Sequence, residues 1–237
     1  MKRILAWLEG LPPGERFFIT YLPIAGHHPY ATPTPGPFPE NDMQGCYLNS
    51  LHDADAALGL LMQGLRDRRL ADNTLWVIFG DHGEAFGQHE GNYGHTLAVY
   101  EENVRVPLLI ATNGLTGEPL RVPEPASLLD VAPTVLDLLG LGLPSSYEGE
   151  SLLHPKPRMA LFFTDYTLSM LGLRDERWKF IHEVDSGRSK LFDLWADPGE
   201  RVDLSSRHAV RAAAYRTHLL RWCGYQREKI SSRRTVS

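Results

Sequence analysis

The chain has 237 residues, 43% of them hydrophobic and 22% charged, with 29 acidic against 24 basic side chains. That is ordinary globular composition, enough for one large domain or two small ones around a buried core. The net charge of −5 leaves no face evidently built for nucleic acid or an acidic membrane and points instead to a small polar ligand.

The opening MKRILAWLEG carries Lys2 and Arg3, but its apolar run stops at Glu9, short of the roughly 7–15 residues of a signal-peptide core. No stretch approaches a membrane span. Residues 1–11 read as an amphipathic helix that Pro12, Pro13 and Gly14 break. Phe17–Leu22 is an apolar run expected as a buried strand, with Gly26-His27-His28-Pro29-Tyr30 following at its carboxyl end. Pro29, Pro33, Pro35, Pro37 and Pro39 exclude regular structure and predict an extended surface loop. From about Asp42 to Arg69, Leu48, Leu51, Leu58, Leu61 and Leu65 recur at helical spacing and predict one long helix with a single core face. Cys46 lies in that helix and Cys223 near the other end of the chain; with no CxxC or Cys/His metal spacing, neither a disulfide framework nor a zinc finger is expected.

Thr74–Phe79 is almost continuously apolar, as expected of a parallel strand covered on both faces. A polar loop follows, then a second apolar run, Val106–Ala111. A Gly/Pro-rich turn leads to Ser127-Leu128-Leu129-Asp130, a capping-box helix start, with Pro133 tolerated in the first turn and Gly140 as the stop. Strands alternating with helices predict an α/β fold with a largely parallel sheet flanked by helices. Beyond about Pro157 the texture changes. Arg158–Tyr166, Arg177–Val184 and Lys190–Leu194 are short β-prone runs that predict a small antiparallel sheet. A terminal helix is expected over about Ser206–Gln226, turning Val210, Ala214, Leu219 and Trp222 inward, with a frayed tail behind it. These patterns divide the chain into residues 1–156, an α/β portion, and 157–237, an antiparallel subdomain with a closing helix.

The loop between the two apolar runs concentrates titratable groups: Asp81, His82, Glu84, His89 and His95. Ligands of open α/β sheets bind beyond the carboxyl ends of the strands, and both His27-His28 and Asp81-His82 directly follow expected strands. Asp81 and His82 are adjacent and flanked by Gly80 and Gly83, so in a turn both can reach one cation. Carboxylate oxygen with imidazole nitrogen suits zinc, manganese or, with more oxygens, calcium, and two ligands are too few, so others must come from elsewhere. An Asx-type turn with a hydrogen-bonded histidine explains Asp-His-Gly alone about as well; the surrounding histidines favour a metal and anion site. Glu84 is expected to orient His82. His52 and His154 read as structural, and Glu101 and Glu102 are expected to face solvent or Arg105.

Taken together, these segments resemble the sulfatases and related metal-dependent enzymes of the alkaline phosphatase superfamily. FFITYLPIAGHHPY looks like that family's strand followed by His-x-Pro-aromatic, and YLNSLHDADAALGLLMQGL like the helix that follows. LADNTLWVIFGDHGEAFGQHEGNYGH resembles its metal and substrate loop, and YEENVRVPLLI, SLLDVAPTVLDLLGL and LFDLWADPGERVDLS its later elements. The resemblance implies an alkaline-phosphatase-like α/β fold and hydrolysis of a small anionic sulfate ester. It further implies one divalent ion, calcium first with manganese, magnesium or zinc as alternatives, held by Asp81 and His82. His27 corresponds to a substrate-contacting histidine or general acid and His95 to the base that grips the transferred anion, with His28 and His89 as weaker substrate contacts.

One departure matters. The family's nucleophile, a Cys or Ser in C/S-x-P-x-R matured to formylglycine, or a bare Thr or Ser, has no counterpart here. Cys46 is followed by Tyr-Leu-Asn-Ser, and no Ser or Thr stands in such a context. The expectation is the C-terminal portion of a sulfatase-like hydrolase whose fold is incomplete and whose missing N-terminal half is a possible partner. Two alternatives stay open: a phosphoglycerol or phosphoethanolamine transferase or phosphodiesterase of the same fold, and a non-catalytic fragment or binding module. Localisation is open too, since relatives often work outside the cytoplasm or from a membrane.

Overall fold

The computed structural model describes residues 1–112, 118–154 and 156–234. Part of the expected Gly/Pro-rich turn and the tip of the tail therefore lie outside the described residues. In chain order the elements are α1 (Lys2–Glu9), α2 (Met43–Asp67), β1 (Trp76–Phe79), β2 (Ala85–Phe86), β3 (Tyr93–Gly94), α3 (Glu101–Val104) and β4 (Leu108–Ala111). They continue with α4 (Val131–Leu138), β5 (Ala160–Asp165), β6 (Ser169–Arg174), β7 (Trp178–Glu183), β8 (Ser189–Asp193) and α5 (Ala209–Arg234). The chain forms two compact units, one of Met1–Ile78 with Leu108–Pro119, the other of Phe79–Pro107 with Leu120–Ser237. Among the described residues no helix is long and apolar enough to cross a membrane.

In the first unit, α2 begins where Asp42 Oδ1 accepts from Gly45 N at 2.8 Å, a side-chain cap for one of the orphan amides of the first turn. Leu61 and Leu65 are its deeply buried positions. A Cβ at Gly64 would overlap Leu5, so that glycine lets α1 approach α2 closely. Farther up the helix, buried Asn49 accepts from Phe38 N at 2.9 Å and donates to Phe38 O at 2.9 Å, tying the proline loop to α2. β1 pairs with β4.

Phe17–Leu22 does not form the expected strand. No described residue gives it a ladder partner, and an extended segment acquires strand character only when its N–H and C=O groups are paired. Its side chains still alternate, with Phe17, Ile19 and Tyr21 half-buried, while Phe18 at 84% and Leu22 at 79% are exposed.

The second unit is organised by the four-stranded antiparallel sheet β5-β6-β7-β8. On one face Leu171, Leu173, Trp178, Phe180 and Leu191 pack with Tyr215 and Leu219 of α5. On the other, Ile181, Phe192 and Leu194 pack on Val99, with Tyr100 and Val104 beside them. The sheet is therefore covered twice, and its second cover is the segment that leaves the polar loop. β6 has no counterpart among the sequence-predicted runs, because its stretch, with Gly172 and Asp175, is expected as a Gly and Asp turn between them. A side chain at Gly172 would overlap the Phe162 ring, so the glycine admits Phe162 across the β5–β6 pair.

Two further expectations are corrected. α5 turns Tyr215 and Leu219 inward, with Ala212, Trp222 and Cys223 partly buried, whereas Val210 and Ala214 are exposed. The helix is long but mostly solvated, so its few apolar positions misled the phasing. The described part of the tail is not frayed, since α5 stays helical to Arg234. The capping box at Ser127 is present as expected: Leu129 N donates to Ser127 Oγ and Asp130 Oδ2 accepts from Ser127 N.

Candidate active site

The polar loop is built on two short strands. β2 and β3 pair antiparallel, Ala85 with Gly94 and Phe86 with Tyr93, and this hairpin brings residues 82–84 beside His95. The His82 and His95 rings stack with centroids 3.8 Å apart and planes at 21°. Glu84 Oε2 lies 2.9 Å from His95 Nδ1, so the carboxylate expected to orient His82 instead accepts from His95 and leaves Nε2 as the nitrogen for an anion or a proton.

Asp81 and His82 fit a metal pair. Asp81 Oδ1 accepts from His82 N at 3.0 Å, which fixes the carboxylate against the turn. His82 Nδ1 lies 2.9 Å from Gly83 O, an acceptor only, so Nδ1 carries the proton and Nε2 presents its lone pair. That lone pair stands 3.8 Å from Asp81 Oδ2, and Asp81's side chain is 80% exposed. Two electron-rich atoms facing one open space suit a cation between them. His82, Glu84 and His95 also have ligand atoms within 4.8 Å of one another.

Gly83 has a steric reason. A Cβ there would overlap the main chain of Glu102 and Asn103, whose backbone passes close enough for Asn103 O to accept from Gly83 N at 2.8 Å.

His89 belongs to another group. Its Nδ1 faces Glu102 Oε1 at 2.7 Å, its Nε2 faces Glu200 O at 3.2 Å, and its ring stacks on Tyr100 at 3.7 Å. Each ring nitrogen thus faces a protein oxygen and neither is turned to open space, although His89, Glu102 and Glu200 also have metal-compatible spacing. Around it Glu101 meets Arg174 Nη1 at 2.5 Å and Lys179 Nζ at 3.1 Å. Lys179 Nζ is also 3.1 Å from Glu200 Oε1, in an ion pair without hydrogen-bond alignment. Glu101 and Glu102 thus face buried Lys179, half-buried Arg174 and His89, rather than solvent or Arg105. Burial pushes the Glu200 carboxyl up, with Lys179 opposing it. Burial also acts upward on Glu102, but bonds from His89, its own backbone and Asn92 outweigh it and hold that carboxyl below the ordinary range.

His27 and His28 lie in the first unit. His27 Nδ1 is 2.9 Å from His28 O, and Gly26 N donates to Ser50 Oγ at 3.0 Å, anchoring this loop on α2. Tyr30, buried and at φ 60°, packs edge-on against His28 at 5.6 Å and Tyr47 at 5.5 Å. Of the other histidines, His154 Nε2 lies 3.3 Å from Asp137 Oδ2.

A sulfatase family model matches residues 1–141, and one for the C-terminal part of N-sulphoglucosamine sulphohydrolase matches residues 89–219. The chain belongs to the sulfatase family. Arylsulfatase K of Mus musculus is 30% identical over 230 residues, covering 85% of this chain and 41% of that relative, and arylsulfatase K of Homo sapiens is 28% identical over 229 residues. The chain therefore spans about two fifths of the length of these relatives. A solved 2-O GAG sulfatase superposes with a TM-score of 0.64 at 23% identity, covering 80% of this chain and 43% of its own. The phosphonate monoester hydrolase of Agrobacterium radiobacter superposes with a TM-score of 0.62 at 24% identity, covering 77% of this chain and 41% of its own. The alkaline-phosphatase-like fold expected from the sequence is thus shared with sulfatases, a metal-dependent family.

The residues that sequence reasoning missed are Asn92, Asn103, Lys179 and Glu200. Asn92 and Asn103 stand inside the polar loop but carry no charge, and Lys179 and Glu200 lie in the distant C-terminal segment, where the sequence points only to a small sheet and a closing helix.

Proposed function

We propose that this sulfatase-family chain provides the metal- and anion-binding part of a sulfate-ester hydrolase. The observation that carries the reading is the His82 Nε2 lone pair facing Asp81 Oδ2 at 3.8 Å, with the His95 ring stacked alongside. Asp81 and His82 hold the divalent ion, with calcium the favoured identity. When bound, that ion would supply positive charge to stabilise developing negative charge on the transferred group. His95, held at Nδ1 by Glu84, presents Nε2 to an equatorial oxygen of the anion. His27 contacts substrate and serves as acid for the leaving oxygen, with His28 beside it. The substrate is a small anionic ester, and a solved sulfatase of the same fold is complexed with D-glucosamine-2-N,6-O-disulfate.

The nucleophile is supplied by residues outside this sequence. The half-buried alternation of Phe17, Ile19 and Tyr21, with Phe18 and Leu22 outward, supports pairing of that segment with a strand that this sequence does not contain. The superposition on a phosphonate monoester hydrolase favours a second reading, phosphoryl-ester hydrolysis on the same groups.

The test is calcium and manganese titration by calorimetry on the chain and its Asp81→Ala and His82→Ala variants, with aryl sulfate and phosphodiester assays before and after adding an upstream sulfatase half. Loss of the ion in both variants and sulfate hydrolysis on complementation support the proposal. Unchanged metal stoichiometry sinks the ligand assignment. Faster turnover of phosphodiesters selects the second reading, and no turnover of either ester shows a non-catalytic module.

A further inference from the structure

Two histidines that stack at 3.8 Å on an open loop need something to hold them, and neither ring is itself deeply buried. The support is a chain of uncharged side chains directly beneath. Asn103, 3% exposed on α3, touches the main chain next to both rings. Its carbonyl accepts from Gly83 N at 2.8 Å, one residue from His82, and its Nδ2 donates to Gly94 O at 3.0 Å, one residue from His95. Its side-chain amide is fixed in turn by Asn92, also 3% exposed, whose Nδ2 donates to Asn103 Oδ1 at 2.7 Å and to Glu102 Oε1 at 2.9 Å. Asn92 O accepts from Gly87 N at 2.9 Å, closing the other end of the hairpin. Glu102 is held by His89, and Glu200 Oε2 accepts from Glu101 N at 2.6 Å. The C-terminal sheet is thereby connected to the hairpin.

We propose that Asn103 is the positioning residue of this site, a single side chain and carbonyl that set the spacing of His82 and His95 and so the place where ion and anion meet. The inference rests on the functional reading above for its consequence but not for its geometry. Asn offers a donor and an acceptor on one short planar amide, and both are used here; Gln carries the same amide one methylene farther out, too long for a fully packed position.

The experiment uses the whole chain, labelled with 15N-histidine, and records the imidazole signals of His82 and His95 together with the calcium dissociation constant. Asn103→Asp keeps the size and the acceptor for Asn92 but removes the donor to Gly94. Thr134→Val is the stability control, since it removes a buried hydroxyl that donates to Asp130 O at 2.6 Å and accepts from Leu152 N at 2.9 Å. The proposal expects Asn103→Asp to abolish the mutual ring-current shifts of the two histidines and to weaken calcium binding about 10-fold, as removal of a supporting partner does at metal sites. Thr134→Val, with a similar loss of melting temperature, should change neither. Unchanged ring signals in Asn103→Asp overturn the proposal. Should that variant not fold, Asn92→Asp, one bond farther along the same chain, is read by the same criteria. If the wild-type chain binds no calcium, the metal reading has failed, and the ring signals alone decide whether Asn103 positions the pair.

Discussion

Lys179→Met is the perturbation whose magnitude the structure determines most directly. The ammonium is fully buried between Glu101 and Glu200, 3.1 Å from each, and methionine keeps the apolar stem while deleting the charge. Glu101 retains Arg174, but Glu200 is left with the Glu101 amide alone. Removing one partner of a buried ion pair costs about 3–5 kcal/mol because the other charge stays uncompensated. For a chain of this size that is a fall in melting temperature of about 10 °C. The cost carries a pH signature. Burial already raises the Glu200 carboxyl above the ordinary carboxylate range, and Lys179 is the leading influence that lowers it. Without Lys179 the folded value rises further while the unfolded value stays put. A group raised in the folded state contributes no penalty below its unfolded pKa and destabilises increasingly as pH climbs through the folded one. Urea unfolding at pH 8 and pH 5 should therefore show the larger loss at pH 8, and Lys179→Met with Glu200→Gln should recover at least half of it. A loss under about 1 kcal/mol at pH 8, or one equal at both pH values, would refute the reasoning.

Gly172→Ala should destabilise by about 1–3 kcal/mol, because the added methyl enters the space of the Phe162 ring, and an unchanged thermal melt would remove the explanation for β6. Leu219→Ala should cost about 2–5 kcal/mol and Val210→Ala less than about 0.5, a contrast in denaturant midpoints that tests the observed phase of α5. Glu102 is held below the ordinary glutamate value, so it contributes stability that is present above that ordinary value and lost as pH falls through the folded one. Acid titrations of the wild type and Glu102→Gln should accordingly separate at neutral pH and converge on acidification; parallel curves would show that the His89 and Asn92 bonds contribute nothing.

The sequence makes legible those elements whose signals are local. The helical spacing of Leu48 to Leu65 places α2 within two residues of its observed ends, and the Ser127 capping box with Gly140 brackets α4. What fails depends on distant partners. Phe17–Leu22 has the composition and alternation of a strand, but strand formation also needs a neighbour for its backbone, and composition says nothing of that. Gly172 reads as a breaker because its use lies across the sheet, at Phe162. On α5, Val210 is more apolar than Tyr215, yet Tyr215 fills the core and sends its hydroxyl to Asp175, a pairing no periodicity reveals.

The candidate site failed to resolve for a related reason. Density of titratable groups locates the loop but does not sort it, because the same residue types serve opposite ends. Asp81, His82 and His95 keep open space before their polar atoms, the condition for taking a ligand. His89 and Glu102, at 13% and 11% exposure, have that space filled by each other and by Glu200 and Asn92, the condition for holding a backbone still. Both sets carry imidazole and carboxylate, and both belong to the one polar loop between β1 and β4. The difference is supplied by Glu200, more than 90 residues away in sequence, whose carbonyl occupies His89 Nε2 and whose carboxylate caps α3. A histidine on a loop becomes a ligand or a strut according to whether the rest of the fold supplies its second partner, and in this chain the segment that follows the C-terminal sheet supplies one to His89 while the described contacts leave the Nε2 of His82 facing Asp81.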